Sequence, residues 1–213
     1  MPELKSLAKV SVGFVIALVC FFIIAAYPNY FPPNFSRGFL RGREGHFASW
    51  YALSFYTHIA CAPTVLLVGL PQFSRTIRNK FLVTHRWLGR TYVTLVLGFV
   101  VPSGIVMAFH AIGGWLAGAG FLLLSTATWF CTFVAWRRAV QADYTAHAVW
   151  MIRSYLLIAS AVNLRLLTLA AIEFQLDARW SYVASSYLSW LVPLSLFEMG
   201  LLFSNLANRY KKS

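Results

Sequence analysis

Charge is what this chain has least of. Only 11% of its 213 residues are charged, where a soluble domain carries roughly 25%. Hydrophobic types make up 59%, and they are grouped into long runs, which excludes an ordinary soluble domain. Cysteine is scarce too. Cys20, Cys61 and Cys131 all fall within apolar runs and show no CxxC spacing, so no disulfide framework is encoded. HExxH, CxxCH, a nucleophile elbow, a P-loop and GxGxxG are all missing, which removes the best-marked hydrolase, c-type haem and nucleotide-binding classes. Internal repeats, low-complexity tracts and a linker are also absent. The chain therefore reads as a single transmembrane helical domain over residues 1–213.

What charge there is has one sign. The net charge is +12, which raises the question of nucleic acid. The basic residues sit in short clusters between apolar runs. There they orient a membrane protein and meet anionic lipid. A nucleic-acid footprint needs a presented basic face, so no nucleic-acid role is expected.

Six apolar runs stand out: Val10–Tyr27, Phe47–Leu70, Thr84–Phe109, Trp115–Trp136, His147–Ile172 and Tyr182–Leu206. The first is too long for the apolar core of a signal peptide and has no clear A-x-A site after it, so it reads as an uncleaved span. The others are long enough to cross about 30 Å of hydrocarbon at about 1.5 Å per residue. Backbone groups in lipid must be satisfied within the segment, so the runs are helices. The expectation is an all-α integral membrane bundle of six transmembrane helices.

Orientation follows from Lys and Arg. One side holds Lys5, Lys9, Arg75, Arg78, Lys80, Arg86, Arg90, Arg137, Arg138, Arg209, Lys211 and Lys212; the other holds Arg37, Arg41, Arg43 and Arg179. The richer side is the cytoplasmic one, which puts both termini there. Residues 28–46 form an outer loop rich in Pro, Asn and Gly. Residues 71–83 form a basic inner loop suited to lying along lipid headgroups. Gly114 and Gly118 make a GxxxG at the start of the fourth span, a signal for close helix contact. Pro63, Pro102 and Pro193 fall inside spans, where each removes a backbone donor. Pro102, Ser103 and Gly104 together suggest a cavity beside a kink.

Polar residues within the spans are the candidates for chemistry. On a helix, His147, Met151, Ser154, Ile158 and Arg165 share one face of the fifth span. If His147 marks the inner boundary, Arg165 lies about 27 Å higher and snorkels to the outer surface. Arg153 is about 9 Å deep and Glu198, on the returning sixth span, about 12 Å deep. An isolated charge at such depth is costly, so the two are expected to form a buried ion pair. His58 lies well inside the second span, as a metal ligand, a proton relay or a partner in an interhelical hydrogen bond. His46 and His110 read as boundary residues.

His85 and His147 open two parallel spans at equal depth. Two neutral imidazoles on facing helices can ligate a b-type haem. Arg86, Arg90 and Arg153 would then meet its propionates. The alternative is that both histidines are polar residues at helix starts.

The strings THIACAPTVLLVGLPQF, HRWLGRTYV, HAVWMIRSYLLIASAVNLRLL and YLSWLVPLSLFEMG resemble the membrane family called domain of unknown function 2306, over about residues 47–200. The resemblance implies a multi-span bacterial membrane protein with signature positions at His58, Gln72, Phe73, His85, Arg86, Gly89, Arg90, His147, Trp150, Arg153, Arg165 and Glu198. It brings no activity. Here NLRLL runs into TLAAIEFQL, where members often carry a proline-containing end, so the resemblance supports no ligand near the outer end of that span.

Three functional readings follow. One is a haem-binding or redox-linked protein of membrane electron transfer, with His85 and His147 as ligands, His58 as a further metal candidate, and a membrane redox partner or a second copy beside it. Another is a small-molecule transporter or binding protein, with a midplane site of His58, the broken third span and the Arg153–Glu198 pair. The last is a non-catalytic membrane subunit. All three have membrane lipids as partners.

Overall fold

The computed structural model describes residues 2–36, 38–47 and 49–210, with side chains between 11 and 204 apart from those of 12, 37, 48 and 49. The side chains of Lys5, Lys9, Arg37, Arg209, Lys211 and Lys212, which enter the orientation argument, lie outside that set. Among the described residues the regular structure is helical: α1 (Pro2–Ala25), α2 (Ser49–Gly69), α3 (Arg75–Lys80), α4 (Leu82–Leu95), α5 (Val101–Ala108), α6 (Gly114–Val140), α7 (Tyr144–Glu173) and α8 (Ala178–Tyr210). A π-helical turn, Val96–Val100, joins α4 to α5.

Among the described residues, five stretches are long and apolar enough to cross a membrane: Trp50–Phe73, Leu82–Ala108, Gly114–Val140, Tyr144–Glu173 and Ala178–Ser204. These correspond to the second through sixth expected spans. The first expected span is helical as α1, and its described apolar stretch, Gly13–Asn29, is shorter than the other five. Large apolar side chains such as Phe21, Trp115, Ile172 and Phe203 stand more than half exposed, as lipid-facing positions do.

The chain divides into two compact units, Met1–His110 and Ala111–Ser213. In the first, α2 packs along α4, the π-turn and α5. The outer loop is not a plain connector. Three short 3-10 turns fold it onto the end of α2, and Leu40 is fully buried there with Tyr51 and Phe55. Tyr30, Phe35, Phe39 and Phe47 pack around that centre. Arg43 pins the loop by donating to the Tyr51 hydroxyl and to the His110 carbonyl (3.0 Å), with its guanidinium 4.3 Å from the Phe39 ring centroid.

In the second unit, α6, α7 and α8 pack pairwise around Cys131, Leu157 and Trp190, with small and polar residues at several contacts. Thr132 and Ser154 share a 2.7 Å hydrogen bond between α6 and α7. Asn163 donates to the Ser189 carbonyl on α8 at 2.9 Å, and the Tyr187 hydroxyl donates to the Leu116 carbonyl at 2.8 Å. Small residues let helix backbones approach in lipid, where hydrophobic burial offers little drive for association.

Two local expectations resolve differently from the sequence pattern. Gly114 adopts φ 71° and a Cβ there would meet nothing within 4 Å, so this end of the GxxxG serves a turn rather than a helix contact. Close approaches to α8 come at Gly113, where a Cβ would lie 2.9 Å from Val183 Cγ2, and at Gly120, where it would lie 2.7 Å from Ser186 Oγ. His147 does not open its helix either. The N-cap of α7 is Asp143, whose carboxylate accepts from Ala146 N at 3.1 Å.

Candidate functional site

Helix α2 presents His58 to the third expected span, whose α-helix is interrupted by the π-turn. In the π-turn, Val101 N–H reaches back five residues to the Val96 carbonyl. Pro102 follows immediately and has no N–H to give, so regular i to i−4 bonding is interrupted at the turn. Ser103 donates to the Phe99 carbonyl at 2.6 Å, with the Val100 carbonyl at 3.1 Å. His58 Nδ1 lies 3.2 Å from the Val100 carbonyl and 3.1 Å from Ser103 Oγ. A carbonyl can only accept, so Nδ1 carries a proton and the lone pair of the neutral ring sits on Nε2. Pro63 and Pro193 leave α2 and α8 continuous. Among the three prolines, the disruption is specific to Pro102.

His85 lies one turn into α4 and is half-buried. A 3-10 turn, Leu70–Phe73, delivers the buried Gln72 onto it. In the amide orientation that satisfies all neighbours, Gln72 Oε1 accepts from Gly89 N–H at 3.2 Å, and its nitrogen donates to His85 Nδ1 and lies 3.3 Å from the His85 carbonyl. Here Nδ1 is the acceptor, so the neutral ring is protonated on Nε2. Arg86 and Arg90 are both exposed, and the Arg90 guanidinium is 5.4 Å from the Trp87 ring centroid.

In the second unit, His147 Nδ1 donates to the Ala135 carbonyl at 2.8 Å, which leaves the neutral lone pair on Nε2. One and a half turns further along α7, Arg153 meets Glu198 of α8. Nε donates to Oε1 at 2.6 Å and Nη2 to Oε2 at 2.9 Å, a two-pronged charge-assisted contact. Arg153 also lies 4.3 Å from the Trp150 ring centroid. The side chains are 19% and 39% exposed, so the pair is partly rather than fully buried. Arg165 is exposed and donates to the Ala161 carbonyl at 2.8 Å.

The structure thus joins Arg153 to Glu198 and gathers Gln72, His85 and Gly89 into one cluster. It places His85 in the first unit and His147 in the second. Groups of three or more His, Cys, Asp or Glu able to hold a metal ion are absent among the described residues. Sequence reasoning missed the pairing of His46 with His110, whose rings lie 5.5 Å apart; the loop that brings them together gives no periodic signal.

Comparison with known proteins agrees with this architecture. The family model described as "Predicted membrane protein (DUF2306)" matches residues 55–201. The chain belongs to this family. It is therefore an integral membrane protein, and the family description assigns no activity. "Ava biosynthesis cluster protein G" of Aspergillus versicolor is 41% identical over 54 residues, which is 25% of this chain and 14% of that protein. The chain thus matches only a small part of that relative's length. No solved structure matches the chain.

Proposed function

We propose that this DUF2306 protein binds a small polar molecule within the membrane, as a transporter or binding protein, at a site centred on His58. The observation that carries the reading is the imidazole held against Val100 O and Ser103 Oγ at the π-turn. Interrupted helices at membrane depth are tolerated where they line protein or a wet cavity, and transporter sites are built on them. An ionisable side chain inside a span marks a functional position by default. His58 adds an imidazole whose two nitrogens can donate and accept hydrogen bonds.

The test is a thermal-shift screen of the purified protein against monocarboxylates, amino acids, amines and sugars. Compounds that stabilise the native chain should lose that effect in His58→Phe and in Ser103→Ala. Stabilisation that survives both changes would place the site elsewhere.

A haem-binding reading keeps one observation in its favour. The Nδ1–H of His147 on a backbone carbonyl is the arrangement that presents Nε2 to a metal. At His85 the polarity is reversed, since Gln72 donates to Nδ1, and an Nε2–iron bond there would require Gln72 to turn its amide. A visible absorption spectrum separates the two readings: a Soret band that shifts on reduction supports haem. The excess of Lys and Arg on one side supports termini in the cytoplasm.

A further inference from the structure

Between Glu44 and Asp143 the sequence has no acidic residue. Five cations fall in this stretch at the turn into the third span: Arg75, Arg78, Lys80, Arg86 and Arg90, all exposed. Arg138–Asp143 and Arg153–Glu198 form ion pairs, and neither involves these five. Large apolar side chains alternate with them. Phe81 is 56% exposed, Val83 69% and Trp87 63%. An aqueous loop would not display such apolar groups, and a hydrocarbon-facing helix would not display such cations. The boundary between phosphate and acyl chain accommodates both.

Spacing on α4 sharpens this. Arg86 and Arg90 are four residues apart, so they share a face about 6 Å apart along the axis. Val83 and Trp87 have the same spacing on the neighbouring stripe, and the Arg90 guanidinium lies beside the Trp87 ring. Two planar guanidinium forks beside an aromatic ring fit a phosphate diester above an acyl chain. We propose that residues 73–90 form a binding element for anionic phospholipid. Arg86 and Arg90 hold the headgroup phosphate, Val83 and Trp87 lie against the upper acyl chain, and α3 gathers further headgroups. The charge balance selects the lipid. With no acidic residue between Glu44 and Asp143 in the sequence, the five cations call for an external net anion, which a zwitterionic headgroup does not supply.

The experiment reconstitutes the full chain in nanodiscs of phosphatidylcholine, alone or with about one-third phosphatidylglycerol. Thermal unfolding is followed by tryptophan fluorescence. The anionic lipid should raise Tm by on the order of 5 °C, and high salt should reduce the gain. Arg86→Gln with Arg90→Gln should lose at least half of it. Arg86→Lys with Arg90→Lys should keep most, and Arg41→Gln in the outer loop should keep all. Equal Tm in the two lipid mixtures, or a full gain in the double Gln variant, would overturn the proposal. If the Gln variant does not fold, native mass spectrometry of the wild type from mixed-lipid membranes decides. Phosphatidylglycerol retained above its bulk fraction supports the element, and retention at the bulk ratio refutes it.

Discussion

Breaking the contact between Arg153 and Glu198 tests the second unit most directly. Its geometry sets the magnitude. Exposed pairs contribute about 0–1 kcal/mol, and removing one partner of a fully buried pair costs about 3–5 kcal/mol. This pair lies between those limits, with side chains 19% and 39% exposed. It makes two charge-assisted bonds, at 2.6 and 2.9 Å. At about 1.5 kcal/mol each, the low end for charged partners, the coupling comes to about 2–3 kcal/mol. A double-mutant cycle of Glu198→Ala, Arg153→Met and the double variant, read from unfolding midpoints in mixed micelles, measures it. Each single variant should be clearly less stable than the wild type. The double variant should fall short of the sum of the two losses, since neither charge is then left alone. A coupling below about 0.5 kcal/mol would mean that lipid headgroups or water satisfy each charge equally well, and the architectural role would be refuted.

Gly120→Val should destabilise by about 1–3 kcal/mol through overpacking against Ser186, whereas Gly200→Ala, with open space around its Cβ, should be neutral or slightly stabilising; the same unfolding assay reads both. Asn163→Leu should cost about 0.5–2 kcal/mol, because it removes the bond to the Ser189 carbonyl across two membrane helices. A reporter fused after Ser213 should be active only in the cytoplasm, and activity on the other side would reverse the orientation. If the purified protein shows a Soret band, His147→Ala should abolish it and His110→Ala should leave it intact.

Five of the six expected spans were legible because hydrocarbon thickness imposes a minimum length of apolar chain. The match between Arg153 and Glu198 was legible for a related reason. Sequential antiparallel helices convert position along the chain into depth, and two opposite charges at one depth have strong cause to meet. Contacts that depend on local backbone detail were not readable. GxxxG names a spacing, but at Gly114 the chain needs a positive φ to enter α6, so the pattern carries a turn and the close approaches fall at Gly113 and Gly120. The outer loop was read from its Pro, Asn and Gly content alone. Its aromatic density, with Tyr30, Phe31, Phe35, Phe39 and Phe47 close together, was the available signal that it would fold onto a core of its own. Pro102 could be told from Pro63 and Pro193 only by its neighbours Ser103 and Gly104.

The three histidines inside or at the ends of spans illustrate where a residue-type argument stops and geometry takes over. By sequence, depth alone separates His58, well inside its span, from His85 and His147, which open theirs, and all three are eligible as metal ligands. What distinguishes them is the group facing Nδ1. For His58 and His147 that group includes a backbone carbonyl, which fixes the proton on Nδ1 and leaves the lone pair on Nε2. For His85 it is the Gln72 amide nitrogen, which fixes the opposite tautomer and makes Nε2 a donor. A matched pair of axial ligands needs two rings of the first kind, whereas a site that hydrogen-bonds a polar solute can use either. The geometry therefore favours hydrogen bonding over paired iron ligation for this set. Gln72→Leu is the substitution that most sharply probes the difference, because it frees His85 Nδ1 from its amide donor without touching the ring itself. A Soret band that appears or strengthens in Gln72→Leu would show that the amide had been holding His85 away from iron. An unchanged spectrum, with altered response to small solutes, would place His85 on the solute-binding side.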